Sequence, residues 1–113
     1  MGKYTDKVND VFGFMKVLSK ELPEVADGFM KLHMANSKDG ALDVKQKELI
    51  ALGIAISSRC EGCIAAHTGG ALQSGATPAE IMETIGVAIM MGGGPSVTYG
   101  NIAYKALKEM SEK

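Results

Sequence analysis

Residues 77–95, TPAEIMETIGVAIMMGGGP, contain the clearest helix signal in the chain. Thr77 is a favourable N-cap residue, Pro78 suits the first helical position, and Glu80 stands where a capping box needs its third-position side chain. Three consecutive glycines follow Met91 and are typical of a helix end. The stretch therefore predicts a helix that begins after Thr77 and runs to about Met91.

The rest of the chain also favours helices, and no stretch alternates between apolar and polar residues as a half-buried strand would. We expect the other helices at residues 4–20, from Pro23 to the turn at 37–43, from Asp43 to about Ser57, from Cys60 to near Gly75, and from Pro95 to about Met110. Asp43 and Gln46 form a second capping-box pattern. A chain of 113 residues is typical of one domain. We predict a single all-α domain of about six helices over residues 1–113.

The helix at 77–91 has apolar side chains around most of its circumference. They are Ile81, Met82, Ile85, Val87, Ala88, Ile89, Met90 and Met91. A helix that is apolar all round must be buried on all sides. Six helices of this length can hardly enclose one of their number completely, so we predict a homo-oligomer whose neighbouring subunits cover the remainder. The alternative is a core helix buried within its own chain.

Composition and charge disfavour nucleic acids and membranes as partners. The 12 Lys and Arg balance 13 Asp and Glu, and only 5% of residues are aromatic, so neither a phosphate-binding charge nor a base-stacking platform is expected. The longest apolar stretch, residues 85–91, is far shorter than the ~20 residues that span a bilayer. The first ten residues lack the apolar segment of a signal peptide. We expect a cytoplasmic protein, whose thiols are normally kept reduced.

Residues 59–67, RCEGCIAAH, contain both cysteines and one of the two histidines. Cys60, Cys63 and His67 follow one another at spacings of three and four, so they share one helical face. A structural zinc site needs four ligands, and we therefore predict no metal and no cofactor. Zinc held by these three residues and a water molecule is the alternative. His33, on the apolar stripe of the second helix, is expected to be a partly buried, hydrogen-bonded residue without a catalytic role.

The position of Cys60 near a helix N-terminus favours thiol chemistry. Free N–H groups at that end stabilise an anion, and Arg59 adds positive charge while Glu61 opposes it. Side chains at this helical spacing have Cβ atoms about 5–6 Å apart, whereas a disulfide needs about 3.8 Å. Closing a bond between Cys60 and Cys63 thus requires a modest local shift, which suits a reversible redox cycle.

A carboxylate is expected beside this face. Glu48 precedes the helix break near Ser58 by ten residues, and His67 follows the break by nine. If the two helices pack antiparallel, both side chains lie at a similar height. Leu52 and Ile56 share the face of Glu48, so the carboxylate is expected to be partly desolvated and able to exchange protons with the site. The alternative is an ordinary surface glutamate.

Four residues form a specific combined pattern: Glu48, Cys60, Cys63 and His67. This arrangement, with eleven residues between the glutamate and the CxxC motif, resembles the signature of AhpD-like alkylhydroperoxidases, which belong to the carboxymuconolactone decarboxylase family. The flanking residues 57–81, SSRCEGCIAAHTGGALQSGATPAEI, are similar to that family as well. The resemblance covers residues 20–107 or so.

The resemblance implies roles for these side chains. Cys63 would be the peroxidatic cysteine and Cys60 the resolving one, while Glu48 and His67 would handle protons. Some members place a histidine just before the second cysteine, where this chain has Gly62. The resemblance therefore implies a shorter proton relay here, with weaker peroxidase activity.

The resemblance also implies partners. It implies a hydroperoxide substrate, an external dithiol donor that is lipoyl-bearing or thioredoxin-like, and assembly as trimers or hexamers. Two alternatives to a peroxidase remain. One is decarboxylation of a lactone acid, which does not require a thiol pair. The other is a non-catalytic, redox-responsive oligomer whose dithiol closes without turnover.

Overall fold

The computed structural model describes residues 2–112 and consists of six α-helices joined by short connections. The helices are α1 (Lys3–Glu21), α2 (Pro23–Asn36), α3 (Val44–Ser57), α4 (Glu61–Gln73), α5 (Pro78–Gly92) and α6 (Gly94–Ser111). Residues 2–112 contain no strand, which confirms the all-α prediction. Met1 and Lys113, the ends of the predicted domain, lie outside the described residues.

Local capping interactions define where α3 and α5 begin. The Asp43 carboxylate accepts the Gln46 N–H at 2.7 Å, and the Gln46 side chain accepts the Asp43 N–H at 2.9 Å. Thr77 and Glu80 form the same reciprocal pair, at 3.1 and 2.8 Å. Both predicted capping boxes are confirmed, because each depends on residues only three apart.

The main core lies between α3, α4, α5 and α6. Leu52, Ile56, Ile64 and Ile81 are fully buried there. The apolar positions of α3 and α4 face one another across a three-residue connection, so these two helices form an antiparallel hairpin. This hairpin carries all four predicted site residues.

The N-terminus of α1 is held by the last turns of α6. Tyr4 is buried against Ala65 and Ala106. The Glu109 carboxylate accepts the N–H groups of Tyr4 and Thr5 at 3.1 and 2.9 Å. A negatively charged side chain thereby satisfies free N–H groups at the positive end of the α1 dipole.

The second helix packs against α1, and almost all of its own side chains stay exposed. Ala26 is its single buried residue, and every other residue of α2 is exposed. The prediction that His33 is partly buried is therefore wrong, because the apolar stripe on which it lies has no core to cover it.

The fifth helix buries only part of its apolar surface. Ile81, Ile85 and Ala88 face the core, whereas Met90 and Met91 are 74% and 77% exposed. The alternative of a helix fully buried within its own chain is excluded. No helix in residues 2–112 has both the length and the apolar character needed to cross a membrane.

Candidate active site

The turn between α3 and α4 places Cys60 at the start of α4. The Arg59 N–H donates to the Ile56 carbonyl and the Cys60 N–H to the Ala55 carbonyl, both at 3.1 Å. This is the hydrogen-bond pattern of a Schellman motif, which needs a left-handed residue at its centre. Arg59 fills that position with φ of 57°, although a side chain is unfavourable there. The reversal leaves Cys60 as the N-cap of α4.

Cys60 and Cys63 are joined by a disulfide bond, with Cα atoms 5.2 Å apart. That separation lies within the range of ordinary disulfides. Cys60 has extended backbone dihedrals, φ −107° and ψ 100°, so it lies outside the regular helix. The Cβ separation of about 5–6 Å that applies to two helical residues three apart therefore does not apply to this pair. Its Sγ also accepts the Cys63 N–H at 3.2 Å. Cys60 is half-buried and Cys63 is exposed.

Glu48 and His67 form a close pair between α3 and α4. His67 Nδ1 lies 2.6 Å from Glu48 Oε1, and the two side chains are 27% and 23% exposed. The expectation that they lie at the same height is confirmed, and the glutamate is not an ordinary surface residue. When the Glu48 carboxylate is ionised it can only accept this hydrogen bond, and the proton is then on Nδ1. In that tautomer Nε2 is the imidazole nitrogen that can accept a proton.

Gly70 makes room for this pair and was not foreseen from the sequence. A Cβ atom built at Gly70 would lie 3.0 Å from Glu48 Oε1 and closer still to the rest of the carboxyl group. Any larger residue would therefore push the carboxylate away. The available signal was the Gly69–Gly70 pair inside a predicted helix, since glycine within a helix is costly and often has a packing reason.

The disulfide and the Glu48–His67 pair belong to successive turns of α4. Cys63 and His67 are four residues apart and face the same side, with Cβ atoms about 5–6 Å apart by helix geometry. The first helix borders the CxxC segment: Lys7 Nζ lies 3.7 Å from Glu61 Oε1, and Val11 Cγ2 would lie 3.5 Å from a Cβ at Gly62. The structure thus pairs Cys60 with Cys63 at the start of α4 and Glu48 with His67 one turn further along that helix.

The described part of the chain was also searched for side chains that could bind a metal ion together. Among residues 2–112, no three or more His, Cys, Asp or Glu side chains are arranged to hold a metal ion. In this form both sulfurs of the alternative zinc set are engaged in the disulfide.

The fold and the CxxC pair indicate a class of protein, and comparison with known proteins indicates the same class. An all-helical chain with a CxxC pair at the start of one helix is AhpD-like in architecture. The chain belongs to the carboxymuconolactone decarboxylase family, whose model matches residues 23–106.

Two solved structures of family members are closely similar. A carboxymuconolactone decarboxylase family protein from Legionella pneumophila is 42% identical, with a TM-score of 0.92 over 96% of this chain and 97% of that one. A family protein from Thermotoga maritima, for which involvement in an antioxidative response has been suggested, is 30% identical with a TM-score of 0.85. The alignment covers 95% of this chain and 91% of that one.

Curated relatives are similar over most of their length but have no described activity. An uncharacterized protein of Cupriavidus necator is 34% identical over 97 residues, which are 86% of this chain and 83% of that protein. An uncharacterized protein of the cox locus of Paracoccus denitrificans is 40% identical over 86 residues, 76% of this chain and 78% of that protein. These relatives establish the family and not the reaction.

Proposed function

We propose that this protein is a thiol peroxidase that reduces alkyl or hydrogen peroxides through a Cys60–Cys63 dithiol/disulfide cycle. One observation about α4 supports the proposal. The Cys60–Cys63 pair, which can form a disulfide, lies at the start of this helix, and the following turn holds His67 against Glu48. Electron transfer and proton transfer are thereby available at adjacent turns of one helix.

In the first step, the Cys63 thiolate attacks the terminal oxygen of the hydroperoxide. A sulfur–oxygen bond forms, the oxygen–oxygen bond breaks, and Cys63 becomes a sulfenic acid. The departing alkoxide leaves as an alcohol with a proton from His67 Nε2, which received it from the Cys63 thiol and which Glu48 orients through Nδ1. The peroxide is reduced by two electrons, and the sulfur is oxidised by two.

In the second step, the Cys60 thiolate attacks the sulfur of the Cys63 sulfenic acid. The sulfur–oxygen bond breaks and the disulfide forms, and hydroxide leaves as water with the proton that the Cys60 thiol released on becoming a thiolate. An external dithiol, lipoyl-bearing or thioredoxin-like, then reduces this bond by exchange and is itself oxidised. We place the cycle in the cytoplasm, where such reductants keep thiols reduced.

The exposure of the two cysteine residues supports the assignment of roles. Cys63 is exposed and Cys60 is half-buried, so an incoming peroxide meets Cys63 first. A reducing thiolate also needs access to one sulfur of the disulfide, and Cys63 provides it. Cys60, fixed at the N-cap by its bond to the Cys63 N–H, suits the resolving role. The antioxidative role suggested for the Thermotoga relative agrees with this chemistry.

The test begins with thiol counting. Fully reduced protein treated with cumene hydroperoxide should lose both of its thiols per chain, and mass spectrometry should find them joined. The Cys60→Ser variant should instead trap a sulfenic acid at Cys63 that reacts with dimedone. Undiminished thiols, or dimedone labelling absent from Cys60→Ser, would rule the mechanism out.

A second variant tests the proton relay. Glu48→Gln keeps the shape of the side chain but removes its charge, so His67 Nδ1 faces an amide that can accept or donate and no longer fixes the tautomer. General acid–base groups typically contribute about 10²–10⁴-fold to a rate. We expect thiol oxidation by peroxide in Glu48→Gln to be at least about tenfold slower than in wild type. An unchanged rate would remove Glu48 from the mechanism.

A further inference from the structure

Arg59 has a backbone conformation that glycine would adopt at lower cost. Among residues 2–112 it is the single non-glycine residue with a positive φ, at 57°. In this left-handed region a Cβ atom lies too close to the following carbonyl oxygen. The turn at the end of α4 has the same hydrogen-bond pattern with Gly75 at the corresponding position. Strained residues persist mainly where their side chains serve a functional site.

Helix capping does not explain why an arginine occupies this position. A cation is stabilising at the C-terminus of a helix and unfavourable at the N-terminus. Arg59 lies between the C-cap residue of α3 and the N-cap residue of α4, so the two helix dipoles act on its charge in opposite directions. Its side chain is exposed, and no carboxylate of residues 2–112 lies within ion-pair distance of it. The charge of Arg59 therefore contributes little to folding.

Arg59 supplies the unpaired charge beside the disulfide. The charged residues of the segment 59–63 are Arg59 and Glu61. Glu61 is paired with Lys7, whose Nζ lies 3.7 Å from Glu61 Oε1, whereas Arg59 has no such partner. The Cα atoms of Arg59 and Cys60 are about 3.8 Å apart as chain neighbours, so the guanidinium lies within a side-chain length of the Cys60–Cys63 bond. A reductant of this disulfide thus approaches an exposed cation.

We propose that Arg59 selects an anionic dithiol, in which a carboxylate stands near the two thiols, as the reductant of the Cys60–Cys63 disulfide. A guanidinium binds a carboxylate through two parallel, charge-assisted hydrogen bonds. This contact holds the dithiol over the bond that it reduces. The inference deepens the proposed peroxidase cycle and rests on it only in requiring that an external dithiol reduces this disulfide.

Reduction begins at Cys63, the exposed member of the pair. One thiolate of the donor attacks Cys63 Sγ, the bond between the two cysteines breaks, and Cys60 leaves as a thiolate. The second thiolate of the donor then attacks the donor's own sulfur in the mixed disulfide, which releases Cys63 and closes the donor's disulfide. Two electrons pass from the donor to the protein, and the two protons of the donor's thiols end on the cysteine sulfurs.

The experiment compares two dithiols that differ only in charge. Dihydrolipoate ends in a carboxylate and dihydrolipoamide in a neutral amide, so the ratio of their rate constants isolates the effect of the charge. The disulfide is formed beforehand with diamide, and its reduction is followed by quenching with a thiol-alkylating reagent and mass spectrometry. Because exposed ion pairs contribute modestly, we expect the carboxylate-to-amide ratio to be about three to five times larger in wild type than in Arg59→Gly. Arg59→Lys should keep most of this preference, and Arg59→Glu should reverse it.

Three controls separate selection from other effects of the charge. An effect of Arg59 on the pKa of the cysteine thiols changes the rates with both dithiols alike and leaves the ratio unchanged. High salt should bring the wild-type ratio to that of Arg59→Gly, because salt screens exposed charges. Lys20→Gln removes a positive charge about 20 Å further along α1 than Lys7 and should keep the wild-type ratio.

The stability of Arg59→Gly completes the test. Glycine adopts the left-handed conformation without strain, so this variant should unfold at a higher urea concentration than wild type. Equal ratios in wild type and Arg59→Gly, a ratio that also falls in Lys20→Gln, or an Arg59→Gly protein less stable than wild type would overturn the proposal. None of these measurements uses peroxide. Reduced protein whose thiols survive cumene hydroperoxide, while its disulfide shows the predicted preference, would contradict the peroxidase cycle and leave the role of Arg59 supported.

Discussion

At the scale of single residues, the site depends on a carboxylate that fits between two helices because Gly70 has no side chain. The Glu48 carboxyl group occupies the space that a Cβ at Gly70 would take. The same carboxyl group fixes His67 through Nδ1. Gly70 thus positions His67 through Glu48.

Replacing Gly70 with alanine should change the geometry of the candidate site while the fold remains stable. Alanine favours a helix over glycine by about 0.5–1 kcal/mol, and the displaced group is the end of a flexible side chain, so the fold should persist. The Glu48 carboxylate must move, and His67 should lose its fixed Nδ1–H tautomer. Long-range ¹H–¹⁵N spectra of the imidazole should show this change, together with at least about tenfold slower peroxide reduction.

Gly69→Ala is the matched control for that change. A Cβ at Gly69 would meet only the flexible end of the Met110 side chain, with Sδ at 3.4 Å and Cε at 3.8 Å. The gain in helix propensity is the same, so tautomer and rate should both stay as in wild type. If Gly70→Ala also leaves both unchanged, the positioning role is contradicted.

Residues could be predicted from the sequence where the relevant partner was close along the chain or could be counted from a turn. Glu48 was found because it and His67 stand nearly the same number of residues from the break at Ser58. Gly70 was missed because its role depends on the distance between α3 and α4, which no spacing within α4 contains. The prediction that His33 is partly buried was wrong because an apolar stripe does not reveal which surface, if any, will cover it.

At the scale of elements, α3 and α4 both end in Schellman motifs, one centred on Arg59 and the other on Gly75. The Gly75 N–H donates to the Leu72 carbonyl and the Ala76 N–H to the Ala71 carbonyl, at 3.1 and 2.9 Å. Gly75 has φ of 95°, which glycine adopts without steric cost.

Gly75→Ala should therefore destabilise the protein even though the site has open space around it. A side chain in the left-handed region costs about 1–2 kcal/mol, and urea denaturation should show a loss of that size. Gly28→Ala, in α2 and likewise without neighbours within 4 Å, should be neutral or raise stability by up to about 1 kcal/mol. Equal effects of the two changes would contradict the backbone explanation.

An ion pair ties the start of α3 to the start of α5 and should respond to pH. Lys45 Nζ donates to Glu80 Oε2 at 2.8 Å, and this bond, with a further one from the Thr77 N–H, lowers the pKa of Glu80 from its ordinary value of 4.5. A lowered pKa stabilises the fold above the unfolded-state value, and the contribution disappears as the pH falls through the folded-state value.

Glu80→Gln should accordingly lower the melting temperature at pH 7, and the difference from wild type should shrink as the pH falls below about 4.5. Glu83→Gln, at an exposed position of the same helix, controls for the loss of one negative charge. A wild-type advantage over Glu80→Gln that stays constant down to pH 3 would contradict the linkage.

Helix starts with local caps could be predicted, and a long-range cap could not. The boxes at Asp43 and Thr77 are complete within four residues, so the sequence alone contains them. The N-terminus of α1 is held instead by Glu109, more than a hundred residues away. Nothing near Lys3 indicates that partner.

At the scale of the whole molecule, the main core is formed by the helices α3 to α6, and the α1–α2 hairpin contributes only Tyr4 and Ala26 as buried residues. The sequence predicted an oligomer from the apolar circumference of α5. It could not show how much of that circumference its own chain covers, because this depends on how α5 packs against α3 and α6, which leaves Met90 and Met91 exposed.

The central claim is that the CxxC pair and the Glu48–His67 pair act together as a peroxidase. Its most direct test is a measurement of steady-state turnover. A small amount of protein is mixed with excess cumene hydroperoxide and excess dihydrolipoamide, and peroxide consumption is followed. The account predicts continuous consumption of many peroxide molecules per chain, abolished in Cys63→Ser. Consumption that stops after a single equivalent per chain, or that survives in Cys63→Ser, would contradict it.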